Sequence, residues 1–85
     1  MDVRVEIGRY ISEYILFDDG GTLEADLSFQ ESGILDSMGF LELVTFVEEN
    51  FMIRISDNEL IPENFDTLRK MSDFVERKLR EKAPA

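Results

Sequence analysis

Ser37 is the residue in this chain best placed for covalent chemistry, and its surroundings limit what that chemistry can be. It follows Asp36 and precedes Met38 at the predicted start of a helix. A serine hydroxyl is a weak nucleophile at neutral pH unless a neighbouring base activates it. The 85 residues contain no histidine and no cysteine. The commonest general base, the commonest metal ligand and all thiol chemistry are therefore missing. Lys70, Lys78 and Lys82 fall at polar positions of the predicted last helix, and the many carboxylates show no pairing that suggests a buried catalytic site. Intrinsic catalysis is not expected. The stretch Asp18-Asp19-Gly20-Gly21-Thr22-Leu23-Glu24 superficially suggests a calcium loop, but its third position is Gly20, its sixth is Leu23 and its twelfth is Phe29. A calcium loop needs glycine at the sixth position and glutamate at the twelfth. No metal site is expected, and no glycine-rich phosphate loop follows a strand.

The elements that must position Ser37 are helical. Val3, Ile7, Tyr10, Ile11 and Tyr14 recur at helical spacing and predict an amphipathic helix over 3–17. Asp18-Asp19-Gly20-Gly21 is expected to end it. A long connection to Asp36 follows, with Leu27, Phe29, Ile34 and Leu35 as its apolar anchors. Asp36 is a suitable cap for a second helix, in which Phe40, Leu43, Val44, Val47 and Phe51 form the buried stripe and Glu42, Glu48 and Glu49 stay in water. Ser56-Asp57-Asn58-Glu59 has the spacing of a capping box and predicts a short third helix, cut off by Pro62. Asp66 or Thr67 caps a last helix whose core face is Leu68, Met71, Phe74, Val75 and Leu79. Met52 and Met71 are expected to fill core or pocket space. No stretch alternates long enough to build a sheet. The expected fold is all-α, a small four-helix bundle of three main helices and a short third, with a long first loop. One domain spans residues 1–85, with a tail fraying from about residue 82.

The formal net charge is −10, and its distribution is uneven. Residues 18–66 hold thirteen acidic residues and a single base, Arg54, whereas residues 67–85 hold six bases and three acids. Nucleic acid needs a basic footprint, so it is excluded as a partner. The acidic middle suits docking of basic partners. No apolar run approaches the roughly 20 residues that span a bilayer, so membrane insertion is not expected. The N-terminus lacks the order of a signal peptide, so a cytoplasmic monomer is expected.

The segment Glu31-Ser32-Gly33-Ile34-Leu35-Asp36-Ser37-Met38 resembles the attachment motif of acyl carrier proteins: a glycine, two apolar residues, then Asp-Ser-Leu at the start of the second helix. Met38 stands in the leucine position. The segment Phe40 to Phe51, the stretch Ile53-Arg54-Ile55 and the run Pro62 to Leu68 also fit, so the likeness reaches from the first helix to about Leu79. This resemblance implies a 4′-phosphopantetheine arm on Ser37, attached by a phosphopantetheinyl transferase that uses coenzyme A and Mg²⁺, with acyl groups carried as thioesters. It implies that Asp36 caps the helix and helps the transferase dock. It also places Met38, Glu42, Thr45, Glu48 and Glu49 where the family meets acyl-loading and acyl-transfer enzymes with basic docking patches. Phe40, Val44, Phe46, Val47 and Ile61 are the expected acyl pocket. Gly39, in place of a common acidic residue, and the bulky Phe40 and Phe46 depart from fatty acid synthesis carriers. They favour a specialised pathway (polyketide, nonribosomal or modified lipid) over fatty acid synthesis. An aminoacyl or peptidyl carrier and an unmodified acidic adaptor are the alternatives.

Overall fold

The computed structural model describes residues 2–15 and 24–82, with Ile15 described by its backbone alone. Over these residues the chain is helical and contains no strand. Helix α1 spans Val3–Tyr10, and its Asp2 cap accepts a hydrogen bond from the Val5 N–H. It runs into a π-helical turn at Ile11–Ile15. Helix α2 is Phe29–Ser32, α3 is Ser37–Phe51, α4 is Pro62–Phe65 and α5 is Leu68–Lys82. A 3-10 turn at Asp57–Glu59 precedes α4.

Helix α5 is the support on which α1, α3 and α4 pack. Its Met71, Phe74 and Val75 meet Ile7 and Ile11 of the first helix, Leu43 and Val47 of α3, and Phe65 of α4 in one buried cluster. The apolar stripes read from the sequence therefore converge, with three corrections. Tyr14 is 64% exposed. The wider π-turn advances fewer degrees per residue than an α-helix, so Tyr14 falls short of the core face that α-helical spacing assigns it. Tyr10, Phe40 and Leu79 are only half-buried. Met71 is fully buried as expected, but Met52 is 72% exposed. Met52 ends α3 in the left-handed region at φ 56°, with its N–H donating to the Glu48 carbonyl. That conformation turns its side chain away from the stripe that Phe51 completes.

The long first connection is partly helical. Ser28 caps α2 by accepting from the Glu31 N–H at 3.1 Å. Gly33 closes the helix at φ 72°, where a side chain would be strained, and donates to the Phe29 carbonyl. Phe29 is buried, while Leu27, Ile34 and Leu35 are half-buried anchors. Asp66 holds α2 from 36 residues away: its carbonyl accepts from the Phe29 N–H at 2.7 Å, and its carboxylate accepts from the Ser28 hydroxyl at 2.6 Å and the Gln30 N–H at 3.0 Å. The cap of α5 is accordingly Thr67, whose hydroxyl accepts from the Lys70 N–H at 3.0 Å. Nearby, the Arg69 N–H donates to the Ala25 carbonyl at 2.9 Å.

The expected single short helix is divided into the 3-10 turn and α4, because Pro62 starts a helix at its first position as readily as it stops one. Lys82 is the last residue of α5 and donates to the Met52 carbonyl. Residues 16–23 and 83–85 lie outside the described residues. They include the expected helix end at Asp18-Asp19-Gly20-Gly21, most of the rejected calcium loop and the rest of the tail.

Glu48 does not stay free in water. It is half-buried, and its carboxylate accepts from the Ile55 N–H at 2.9 Å, tying α3 to the segment after it. Glu59 does similar work one turn later. It accepts from the Ser56 N–H at 2.9 Å and from the Lys78 ammonium at 3.2 Å. The Ser56 N–H first, then Lys78, holds the Glu59 carboxyl below its ordinary value near 4.5. A carboxylate with a depressed folded-state pKa adds stability above the unfolded value, and that stability is lost as pH falls through the folded value. The melting temperature of wild type should therefore exceed that of Glu59→Gln at neutral pH, and the gap should close below pH 4.5. Parallel melts of the two proteins from neutral pH into the acid range check this; a gap that persists in acid would overturn it.

Candidate attachment site

The local chain path explains why Ser37 is presented. Gly33 ends α2, Ile34 and Leu35 anchor in the core, and Asp36 starts α3 in extended geometry. The Asp36 carboxylate accepts from the Gly39 N–H at 2.7 Å. It satisfies an orphan donor of the first turn and puts negative charge at the positive end of the helix. Ser37 is the first residue of α3 and is exposed. A side chain at position 39 would press on this cap, since a Cβ there would lie 3.2 Å from the Asp36 carboxylate and 3.7 Å from Leu35. Glycine at 39 is thus matched to a cap that lies close over the first turn.

A groove of about 260 Å³ opens beside Ser37, between α2, the start of α3 and α4. Phe29, Leu35, Phe40, Ile61 and Phe65 give it apolar walls, and Gln30 and Asp66 give it a polar end. Phe40 and Phe65 meet edge to face with centroids 5.9 Å apart. Of the expected acyl pocket, Phe40 and Ile61 line this groove. Val44 and Val47 do not; both are buried, Val47 fully and within the main core cluster. Phe46 does not either. It lies about 100° round the helix from Val47, and its ring stacks on Tyr10 at 4.0 Å. Phe40 alone thus represents α3 apolar residues at the groove wall, with Leu60 and Pro62 of the α4 approach added.

The expected partner residues are also divided. Met38, Glu42, Thr45 and Glu49 line a second, exposed groove on the outer side of α3, whereas Glu48 is engaged with Ile55. Sequence reasoning missed Leu41, 57% exposed on that outer face, and Tyr10, which joins it from α1. The available signal was the recurrence of 38, 41, 42, 45 and 49 at helical intervals. Sequence reasoning also missed α2, although Ser28 followed by Glu31 has the capping-box spacing.

Residues 9–75 match the family described as the phosphopantetheine attachment site. The chain belongs to this family of carrier proteins. Its cofactor is 4′-phosphopantetheine, covalently attached. The structure fits such a group: an exposed hydroxyl at a helix start stands at the mouth of an apolar groove with a polar end. The D-alanyl carrier protein of Streptococcus gordonii is 33% identical over 75 residues, covering 88% of this chain and 92% of its own. The D-alanyl carrier protein of Streptococcus sanguinis is 32% identical over the same share. The solution structure of the holo acyl carrier protein from Geobacter metallireducens superposes with a TM-score of 0.74 at 21% identity, over 96% of this chain and 91% of that one. That likeness establishes a shared helical bundle. Carrier proteins of this family work with a phosphopantetheinyl transferase and with acyl-handling enzymes, and they are generally non-catalytic. No helix among the described residues is long and apolar enough to cross a membrane.

Proposed function

We propose that Ser37 carries the phosphopantetheine arm and that the cargo is a small amino acid, D-alanine, held as a thioester. The observation that carries the first half is the exposed Ser37 behind its Asp36 cap, beside a groove suited to a slender arm. When bound, the group supplies the thiol that this cysteine-free chain lacks. The chain's own residues hold and present. Asp36 fixes the first turn, Gly39 leaves room for the cap, and Phe29, Leu35 and Ile61 offer the arm an apolar wall. With no histidine in the chain, the base that takes the Ser37 proton belongs to the transferase.

The second half rests on the named relatives and on the groove's size. Phe40 and Phe65, which meet edge to face, both line the groove, whereas Val44 and Val47 are buried and do not line it. A long acyl chain would have to push beyond the groove into the packed interior, and protein interiors resist such insertion. A short acyl group of similar size is the second reading, favoured by the apolar lining. Fatty acid, polyketide and modified-lipid assembly are less well supported than amino acid transfer. Met38, Glu42, Thr45 and Glu49 are proposed to meet the loading and transfer enzymes.

The test takes protein bearing the arm and offers it amino acids with an adenylating enzyme and ATP, or acyl donors with a broad acyl transferase. Intact mass reads the product. D-alanyl transfer with poor long-chain loading is the expected result. Efficient long-chain loading with no amino acid transfer would overturn the cargo reading and leave the attachment reading standing.

A further inference from the structure

Helix α3 is apolar on two sides. Leu43, Val44, Val47 and Phe51 enter the core, while Met38 and Leu41 are 68% and 57% exposed on the outer side. This outer side continues onto the first helix. Tyr10 stacks on Phe46 with centroids 4.0 Å apart and planes within 14°, and Tyr14 lies 5.2 Å from Tyr10. Tyr10 and Phe46 line one edge of a groove of about 420 Å³, and Tyr14 continues the row of rings beyond it. Tyr14 reaches this row because of the π-turn, which takes it off the core face. Such turns within helices frequently mark functional sites. Burial first, then Glu42 and Tyr14, push the Tyr10 phenol above its ordinary value, so the stacked pair is uncharged at neutral pH.

Two carboxylates, Glu42 and Glu49, line the groove with no lysine or arginine among the lining residues. A second copy of this chain would bring acid against acid across a two-fold contact, on a protein already at −10. A basic helix with an apolar ridge has the complementary charge and shape. Apolar residues three and four apart on such a helix would face the exposed Met38 and Leu41, and its lysines or arginines would meet Glu42 and Glu49.

We propose that Tyr10, Tyr14 and Phe46 extend the docking face of α3 onto the first helix and, with Leu41, seat the apolar ridge of a basic amphipathic helix from a partner. The proposal deepens the carrier reading by naming a partner chemistry, but the groove does not depend on the arm. The test therefore uses the unmodified protein and a synthetic amphipathic Leu/Lys peptide of about 18 residues, long enough to form a helix on binding. A scrambled peptide of the same composition is the control. Amide shifts on titration should map to residues 10, 14, 38, 41, 42, 45, 46 and 49. Tyr14→Ser with Leu41→Ser should weaken binding at least about tenfold, the cost of losing two apolar anchors. Tyr14→Ser alone should weaken it at least about threefold, and both variants should keep the wild-type melt because these side chains are exposed. Val5→Ser with Met52→Ser, exposed apolar residues off this groove, should bind like wild type. Wild-type affinity in Tyr14→Ser, equal binding of the scrambled peptide, or self-association through this face would each overturn the proposal. A chain that fails to take up the arm would overturn the function above without touching this one.

Discussion

Incubated with coenzyme A, Mg²⁺ and a broad-range phosphopantetheinyl transferase, the wild-type protein should gain one phosphopantetheine-sized mass, and Ser37→Ala should gain none. The effect is all or nothing because the hydroxyl oxygen is the atom that becomes bonded to phosphorus, and alanine has none. Position decides the matter further. Ser32, the nearest other serine, closes α2, and its hydroxyl donates to the Phe29 carbonyl at 3.4 Å. Ser28 donates to Asp66, and Ser72 is buried and donates to the Leu68 carbonyl at 2.7 Å. Only Ser37, among these four, stands exposed at the start of a long helix. The variant keeps its fold, since Asp36 still caps Gly39 and the Ser37 side chain is exposed. A melt equal to wild type beside an absent mass gain therefore separates loss of the attachment atom from loss of structure. A full mass gain in Ser37→Ala would place the arm elsewhere and end the attachment reading.

Phe65→Ala should lower the unfolding midpoint in urea severely. Phe65 is 2% exposed and sits between Phe40 of α3, at 5.9 Å, and Phe74 of α5, at 4.9 Å. Removing a buried phenylalanine costs about 3–5 kcal/mol, from lost transfer energy and the cavity left behind. A domain of this size has a total stability on the order of 4–13 kcal/mol, so one such loss consumes much of it. Helix α4 is a single turn and has little stability of its own; Phe65 is what anchors it to α5. Circular dichroism in a urea titration reads the midpoint. Phe65→Leu, which keeps most of the volume, should recover a large part of the loss. A midpoint for Phe65→Ala within error of wild type would contradict the packing described.

The main helices were legible in the sequence because each carries a stripe that recurs with the helical period: Ile7 and Ile11, Leu43 and Val47, Met71 and Val75. Asp36 as a cap was legible too, because capping is a contact between residues three apart. What could not be read is what depends on distant partners or on departures from the period. The bonds from Asp66 to Ser28, Phe29 and Gln30 cross 36 to 38 residues and leave no periodic trace. The π-turn shifts Tyr14 without changing any residue type. Glu48 looks like any surface glutamate until the chain after α3 folds back and offers the Ile55 N–H. For the site, the proposal of attachment at Ser37 rests on local residues, but the groove left no local trace. Its walls come from α2, α3 and α4 together, and only Phe40 and Ile61 of the five expected residues reach it.

The reliance of α2 on Asp66 also sets an order in time. As the chain is synthesised from its N-terminus, Ser37 emerges early, but the residues that hold the turn before it emerge late. Asp66 must arrive before the Ser28 hydroxyl and the Phe29 and Gln30 amides have their partners, and α5 must follow before Phe65 has its floor. A short segment such as α2 has no stability without them. The serine is thus displayed in its finished form only when nearly the whole chain is available. Decoration of Ser37 is expected to follow translation, and a transferase would read a folded address that a nascent chain does not yet possess.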